Sequence, residues 1–264
     1  MFLRAFIALA LAITLLPGVS HADDTPLHMT SGETSHVSLD KGESQDWTIS
    51  LPKGDYYIVL DSKRSDAHSG NIQATVRLLK NNGVVVDDSL LTTNDVAYQT
   101  RDGIKFHVDK NLPGRLRLSH DQDIPIEFWM TVIPVASMKF IPFGYGTELH
   151  PLTIGTDSGV GGDHFGETQD AAYSVTLPPG KWSISLGLTL PSGESSNLES
   201  AIDLLDSYGL PAELAFVNMN EIDNQSRKEG ILTLLKPKRV ILRVVNTSGD
   251  KVYHYDVTVE KATD

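Results

Sequence analysis

The chain has 264 residues, a formal net charge of −12 and no cysteine. The lack of cysteine excludes disulfides, thiolate metal sites and a cysteine nucleophile. The dispersed acidic charge argues against a nucleic-acid partner, because phosphates are bound by clustered Lys and Arg.

Residues 1–22 have the pattern of a cleaved signal peptide. Arg4 precedes an apolar run over 5–16 that is too short to span a bilayer, and Ser20-His21-Ala22 is a small-x-small cleavage site. No later run of the sequence reaches the length of a membrane helix, so no stable membrane insertion is expected. Small secreted eukaryotic domains usually depend on disulfides. We therefore predict a bacterial protein that is periplasmic or secreted.

After a polar segment over 23–33, predicted to be a flexible lead-in, the chain shows the pattern of short β-strands. Trp47, Ile49 and Leu51 alternate with polar residues, and similar runs recur between Gly, Pro and Asp turn residues. This period of two predicts strands and hairpins. About eight such runs precede residue 136, which is the strand count of a β-sandwich.

The second half of the chain repeats the first. Leu-Pro-Lys-Gly at 51–54 returns as Leu-Pro-Pro-Gly at 177–180, an offset of 126 residues, and the same offset aligns 116–118 with 242–244. Matches along most of the length indicate duplication of a whole domain, because solenoid repeats have a much shorter period. We predict a first β-sandwich over 34–136, an apolar linker over 137–147 and a second β-sandwich over 148–264.

Residues 61–70 are charged and are predicted to form a loop. One further segment admits more than one interpretation. Asn197–Leu205 has helical propensity, but its repeat partner Asn71–Leu79 is β-branched and strand-like. Because two copies of one fold should agree, both are predicted to be strands.

Each repeat contains a polar-aromatic strand, Leu-Pro-x-Gly, an aromatic-led strand, Leu-Leu-x-x-x-Gly and a final aromatic-x-x-Thr-Val. These elements lie at 47–60, 78–83 and 128–132, and again at 173–186, 204–209 and 255–259. The unit resembles the bacterial pre-peptidase C-terminal domain. The resemblance implies a fold class of all-β, with two tandem jelly-roll-like antiparallel β-sandwich domains. It also implies an exported accessory role in secretion, targeting or substrate binding, with calcium bound in some relatives.

Residues 156–167 are predicted to be an inserted loop, because the alignment gives them no counterpart in the first repeat. Asp157, Asp163, Glu167 and Asp170 lie close together in sequence among several glycines. Calcium takes about six to eight oxygen ligands on a flexible loop, so these four residues are candidate calcium ligands. The spacing is not that of an EF-hand, and a solvated acidic loop is the alternative.

The linker holds four large apolar side chains, Phe140, Ile141, Phe143 and Tyr145. They would either pack against a neighbouring sandwich and fix the angle between domains, or form an exposed aromatic patch for a ligand. We favour packing.

Five other aromatic residues, Trp47, Tyr56, Trp129, Tyr173 and Trp182, would suit sugar stacking. Four of them lie on alternating apolar faces, which favours a place in the core.

Catalytic patterns are weak. Asp157-Ser158-Gly159 resembles the nucleophile segment of trypsin-like proteases, but the sequence around His68 does not resemble that family's histidine segment. We therefore predict a non-catalytic exported binding or accessory protein with a protein or polysaccharide partner outside the cytoplasm. The alternatives are a secreted hydrolase with its site at the domain junction, and a purely structural periplasmic subunit.

Overall fold

A computed structural model describes residues 27–66, 70–161, 170–193, 195–246 and 252–263. The described residues form 18 β-strands and one short 3-10 turn at Val135–Ser137, which confirms the all-β prediction. The predicted signal peptide lies outside the described residues. Within them, no helix is long and apolar enough to cross a membrane.

The first nine strands form a sandwich of two sheets, here called unit 1. The bounds are β1 Leu27–His28, β2 Thr34–Leu39, β3 Ser44–Leu51, β4 Gly54–Arg64, β5 Gly70–Lys80, β6 Val85–Ala97, β7 Gln99–Val108, β8 Leu112–His120 and β9 Ile126–Pro134. One sheet has the order β1-β3-β8-β5-β6 and the other β2-β9-β4-β7. Apart from the parallel edge pair β1–β3, neighbouring strands are antiparallel, and strands β2 to β9 have a jelly-roll arrangement.

The next nine strands form an equivalent sandwich, unit 2. The bounds are β10 Leu149–Pro151, β11 Gly155–Gly161, β12 Asp170–Leu177, β13 Gly180–Thr189, β14 Ser196–Leu205, β15 Pro211–Asp223, β16 Gln225–Leu234, β17 Lys238–Asn246 and β18 Tyr253–Lys261. The sheet orders, β10-β12-β17-β14-β15 and β11-β18-β13-β16, repeat those of unit 1 strand for strand. The predicted duplication is therefore confirmed, and the segment with competing helical propensity is strand β14.

The two cores are filled by the alternating apolar residues of the facing sheets. Four of the five aromatic residues considered for sugar stacking are buried there: Trp47, Tyr56, Tyr173 and Trp182. Trp129 instead lies on the outer face of unit 1 and stacks on His36, with 4.6 Å between the ring centroids. Core packing is thus confirmed for those four.

The prediction of an inserted loop over 156–167 is wrong for its first part. Gly155–Gly161 forms β11 and pairs with β18, just as Thr34–Leu39 forms β2 and pairs with β9. The glycines of β11 replace the alternating side chains of β2, so the sequence comparison missed the equivalence. Gly159 is required there because a Cβ would lie 2.5 Å from the hydroxyl oxygen of Tyr255.

Two other loop predictions are also wrong in part. The charged segment 61–70 begins as strand, since β4 continues to Arg64, and Asp61 is only 3% exposed. The flexible lead-in over 23–33 includes the edge strand β1, followed by a buried Met29. In both segments, contacts made far along the sequence outweigh the local polar composition.

Candidate functional site at the junction of the units

The apolar linker predicted over 137–147 is part of the packed structure. Ile141 is 3% exposed and packs with Val59 of unit 1 and Leu210 of unit 2. Phe143 is 4% exposed and packs on the outer face of the five-stranded sheet of unit 2. The favoured interpretation of this segment, packing rather than an exposed patch, is confirmed.

A buried ion pair holds the linker on unit 1. Arg101 donates from Nε and Nη2 to the two carboxylate oxygens of Asp61, at 2.6 and 2.7 Å. The other three N–H groups of the guanidinium donate to the backbone carbonyls of Ile141, Pro142 and Gly209, at 2.9, 2.7 and 3.2 Å. All five donors are used, so this one side chain joins unit 1, the linker and the β14–β15 turn of unit 2.

A second buried ion pair lies on the unit 2 side of the linker. Arg243 donates to Oδ2 of Asp203 at 3.1 and 2.6 Å and to the Tyr145 hydroxyl oxygen at 2.7 Å. Asp170 lies beside them, and its Oδ2 lies 4.0 Å from Arg243 and has no hydrogen-bond partner among the described residues. Burial raises the pKa of Asp170 to about 7, and the charge of Arg243 opposes that rise.

Next to this second pair, a cleft of about 290 Å³ separates the two units. The β6–β7 corner of unit 1 forms one wall, with Asp95, Gln99 and Thr100. The outer face of the five-stranded sheet of unit 2 forms the other wall, including Glu199 and Ala201. The Arg243–Asp203 pair also lines it, so the ion pair that anchors the linker borders the cleft.

Two carboxyl groups lie close together on the unit 1 side of the cleft. The Thr100 hydroxyl lies 2.7 Å from Oδ2 of Asp95 and 3.3 Å from Oδ2 of Asp102, and it is shared between them. Burial raises the pKa of Asp102 to about 6, although hydrogen bonds to hydroxyl groups lower it. A single hydroxyl therefore joins Asp95, which lines the cleft, to Asp102 behind the lining.

A β-bulge shapes the opposite rim. The register of β14 and β15 shifts between Ile202 and Leu204, and the bulged strand carries Ala215 at φ +50°. Ala215 is the one residue other than glycine with positive φ in the part of the chain that the structure describes. Its amide donates to Oδ1 of Asp203 at 2.7 Å, so the buried aspartate holds a strained backbone at the edge of the cleft.

No protein-family model matches the chain, and no curated protein matches it in sequence. Among solved structures, the chain is similar to the N-terminal CBM22-1-CBM22-2 tandem domain from Paenibacillus barcinonensis Xyn10C, with 10% identity, coverage of 84% of this chain and 83% of that chain, and a TM-score of 0.27. It is also similar to the ANX2 ectodomain from Arabidopsis thaliana, with 9% identity, coverage of 88% and 89%, and a TM-score of 0.24. A third similar structure is the isomalto-dextranase of Arthrobacter globiformis T6 complexed with panose, with 11% identity, coverage of 88% and 35%, and a TM-score of 0.25. Function therefore has to be argued from the junction of this chain itself.

The predicted calcium ligands are spread over different parts of unit 2. Asp157 is half-buried on β11 in the four-stranded sheet, whereas Asp170 is buried at the start of β12 in the other sheet. Asp163 and Glu167 lie outside the described residues. The described residues contain no group of three or more His, Asp or Glu arranged to hold a metal ion. The calcium site stays a prediction, tested by whether calcium raises the melting temperature and whether Asp157→Ala with Asp163→Ala removes that effect.

The protease-like segment is also only partly described. Ser158 is exposed on β11, and its amide donates to Oδ1 of Asp157 at 2.8 Å. His68, considered as a base, lies outside the described residues. Neither Asp157 nor Ser158 lines the cleft at the junction.

Sequence reasoning missed the charged residues that build the junction, although a signal for them exists. Arg243 is the one charged residue in the apolar run 240–245, and Asp61 directly follows Ile58-Val59-Leu60. A charge inside an apolar strand is rarely buried without a partner. A charged residue within an apolar strand can therefore be recognised from sequence, but the residue of opposite charge that pairs with it is known only from the tertiary structure.

Proposed function

We propose that this chain is an exported, non-catalytic binding or accessory protein whose ligand occupies the cleft between units 1 and 2. The observation that carries the proposal is the lining of the cleft, which comes from both units at a junction fixed by two buried ion pairs. Ligand sites occur preferentially at domain interfaces and combine apolar surface with a few oriented polar groups. The predicted signal peptide over 1–22 supports a location outside the cytoplasm.

The anchored linker supports binding because it holds the two walls in place before a ligand arrives. Arg101 bonds to the linker and to unit 2, and Arg243 bonds to Tyr145 of the linker. A site with walls already in position loses less conformational entropy on binding. The resemblance of each repeat to the pre-peptidase C-terminal domain supports an accessory role, and the protein or polysaccharide partner stays a prediction.

Blocking the cleft tests this proposal. Ala201 is 7% exposed and lines the cleft, so Ala201→Trp fills it, whereas Ser183→Trp places the same ring on a different surface, the outer face of the four-stranded sheet of unit 2. Thermal shift and calorimetry are carried out with a panel of saccharides, organic amines and peptides. We expect a panel member to bind the wild type, Ala201→Trp to weaken binding at least tenfold, and Ser183→Trp to leave it unchanged.

Circular dichroism establishes that both variants are folded. Binding that survives Ala201→Trp, or a wild type that binds no member of the panel, contradicts the proposal.

A hydrolase with its site at the same junction is the second candidate, favoured by the two carboxyl groups that share Thr100. Burial raises the pKa of Asp102 to about 6, and Asp95, which shares the Thr100 hydroxyl with it, lines the cleft. A protonated carboxyl close to a second carboxyl is the arrangement of general acid–base catalysis. Release of reducing ends or amines from glycan and peptide substrates, lost in Asp102→Asn, would establish hydrolysis; no turnover of either class would exclude it for those substrates.

A further inference from the structure

We propose that the ligand of the cleft is a small organic cation, an aliphatic amine or guanidine. This inference rests on the proposed function, because it names the ligand class of the same cleft.

The lining of the cleft carries an excess of negative charge. Its charged residues are Asp95, Glu199, Asp203 and Arg243. Three carboxylates against one guanidinium leave two negative charges, and a cleft with low-dielectric walls concentrates such a field. A cation entering the cleft is therefore attracted, and an anion is repelled.

The single guanidinium of the lining is already committed. Arg243 is 3% exposed and bonds to Asp203 and to the Tyr145 hydroxyl oxygen. The carboxylates Asp95 and Glu199, on opposite walls, accept hydrogen bonds from Thr100 and Asn197 respectively, and neither has a salt bridge within the described ranges. These two carboxylates are available to a cationic ligand.

An amide side chain without a protein partner lines the cleft. Gln99 is 6% exposed and lines the cavity, and its side chain makes no hydrogen bond to any residue that the structure describes. A ligand in the cleft can therefore pair with this amide without displacing a protein partner. The amide oxygen of Gln99 would accept a hydrogen bond from an ammonium or guanidinium group.

The remaining lining suits a methylene chain better than a sugar ring. Val96, Ala201 and Leu214 provide aliphatic surface, and Asn218 and Asn220 add amide groups at the rim. No aromatic side chain belongs to the described lining, so the cleft has no stacking platform for a saccharide. A volume of about 290 Å³ suits a short amine.

The test is calorimetry on the full chain with spermidine and cadaverine as cationic probes and a neutral disaccharide as the comparison. Asp95→Asn and Glu199→Gln remove the two available carboxylates. Glu229→Gln and Glu260→Gln are the matched controls, because these carboxylates line a separate cavity on the outer face of the four-stranded sheet of unit 2. We expect each cleft variant to weaken amine binding at least tenfold, each control to leave it unchanged, and added salt to weaken it in the wild type.

Three results overturn the inference. Equal losses in Glu199→Gln and Glu229→Gln would mean that the amines bind only through the general negative charge of the protein. If only the disaccharide binds, and Ala201→Trp abolishes that binding, the proposed function is supported and the inference of a cationic ligand is refuted. Binding of no probe and no panel member would refute both.

Discussion

Arg101 of unit 1 and Arg227 of unit 2 occupy the same position in the two four-stranded sheets but have opposite environments. Arg101 pairs in register with Asp61, and Arg227 with Gly187. Arg101 is fully buried against the linker, whereas the side chain of Arg227 is 50% exposed and bonds to Asp256. One copy of the sheet face has become a domain junction, and the other faces solvent.

The neighbours of the two arginines account for this difference. Around Arg101 lie the buried Val59 and Ile133, whose equivalents in unit 2 are Ser185 and Glu260. Covering the first face removes apolar side chains from water, which stabilises the junction. The second face carries polar side chains that stay hydrated, so covering it would bring no such stabilisation. The same fold therefore supports one packed face and one open face.

The first prediction concerns the buried ion pair. Arg101→Met should lower the free energy of unfolding by about 3–5 kcal/mol, because Asp61 stays buried without its counter-charge. The double variant Arg101→Met with Asp61→Leu should recover most of that loss. Arg227→Met is the matched control and should cost less than about 1 kcal/mol, as exposed pairs do. Urea unfolding measures the stability of all three variants. Equal losses for Arg101→Met and Arg227→Met would contradict the role of the buried Arg101–Asp61 pair in stabilising the junction.

A second prediction concerns the linker aromatic residue. Phe143→Ala should lower the free energy of unfolding by about 3–5 kcal/mol, because it empties a packed site between the linker and unit 2. Leu235, which is 96% exposed, serves as the control, and Leu235→Ala should change stability by no more than about 0.5 kcal/mol. Thermal and urea unfolding give both values. A loss below about 1 kcal/mol for Phe143→Ala would show that the linker is not packed in solution.

A third prediction is a pH dependence from Asp170. Burial raises its folded-state pKa to about 7, above the value of about 3.9 in an unfolded chain. The protonated form is therefore favoured by folding, so this contribution is fully present below about pH 4 and is lost as the pH rises to about 7. The slope is at most about 1.4 kcal/mol per pH unit.

Comparison with a variant isolates this contribution from other titrating groups. The stability of Asp170→Asn relative to the wild type should increase from about pH 4 to about pH 7 and then level off. A flat profile for Asp170→Asn in urea titrations would show that Asp170 titrates normally.

A fourth prediction concerns Gly209 in the β14–β15 turn. Its φ is +84°, and a Cβ there would lie 2.9 Å from Nη1 of Arg101. Gly193 has φ +69° and no atom within 4 Å of an added Cβ, so Gly193→Ala should cost only the backbone strain of about 1–2 kcal/mol. Gly209→Ala should cost more, because it also displaces the guanidinium that holds the linker. Equal losses in thermal unfolding would mean that the turn does not contact Arg101.

Prediction from sequence was accurate where the signal is local. Trp47 and Trp182 were placed in their cores by alternation, and Asn197–Leu205 was identified as strand through its repeat partner. It was inaccurate for the segment that became β11, because glycines carry no alternating pattern, and for Asp61, because its charge indicated solvent. The lining residues of the candidate site were missed, because Asp95, Gln99 and Glu199 are unremarkable polar residues until the two units meet.

By itself, the sequence determined two equivalent β-sandwiches, because turn residues and a period of two act over a few positions and recur at a constant offset. Only the tertiary structure decided which faces meet. Arg101 and Arg227 are arginines at equivalent positions of the two units. They differ in burial, because only Arg101 is covered by the linker and by the β14–β15 turn, which lie far from it in sequence. The cleft has the same origin, since its walls are about 100 residues apart along the chain and become a site only when Arg101 and Arg243 hold the linker between them.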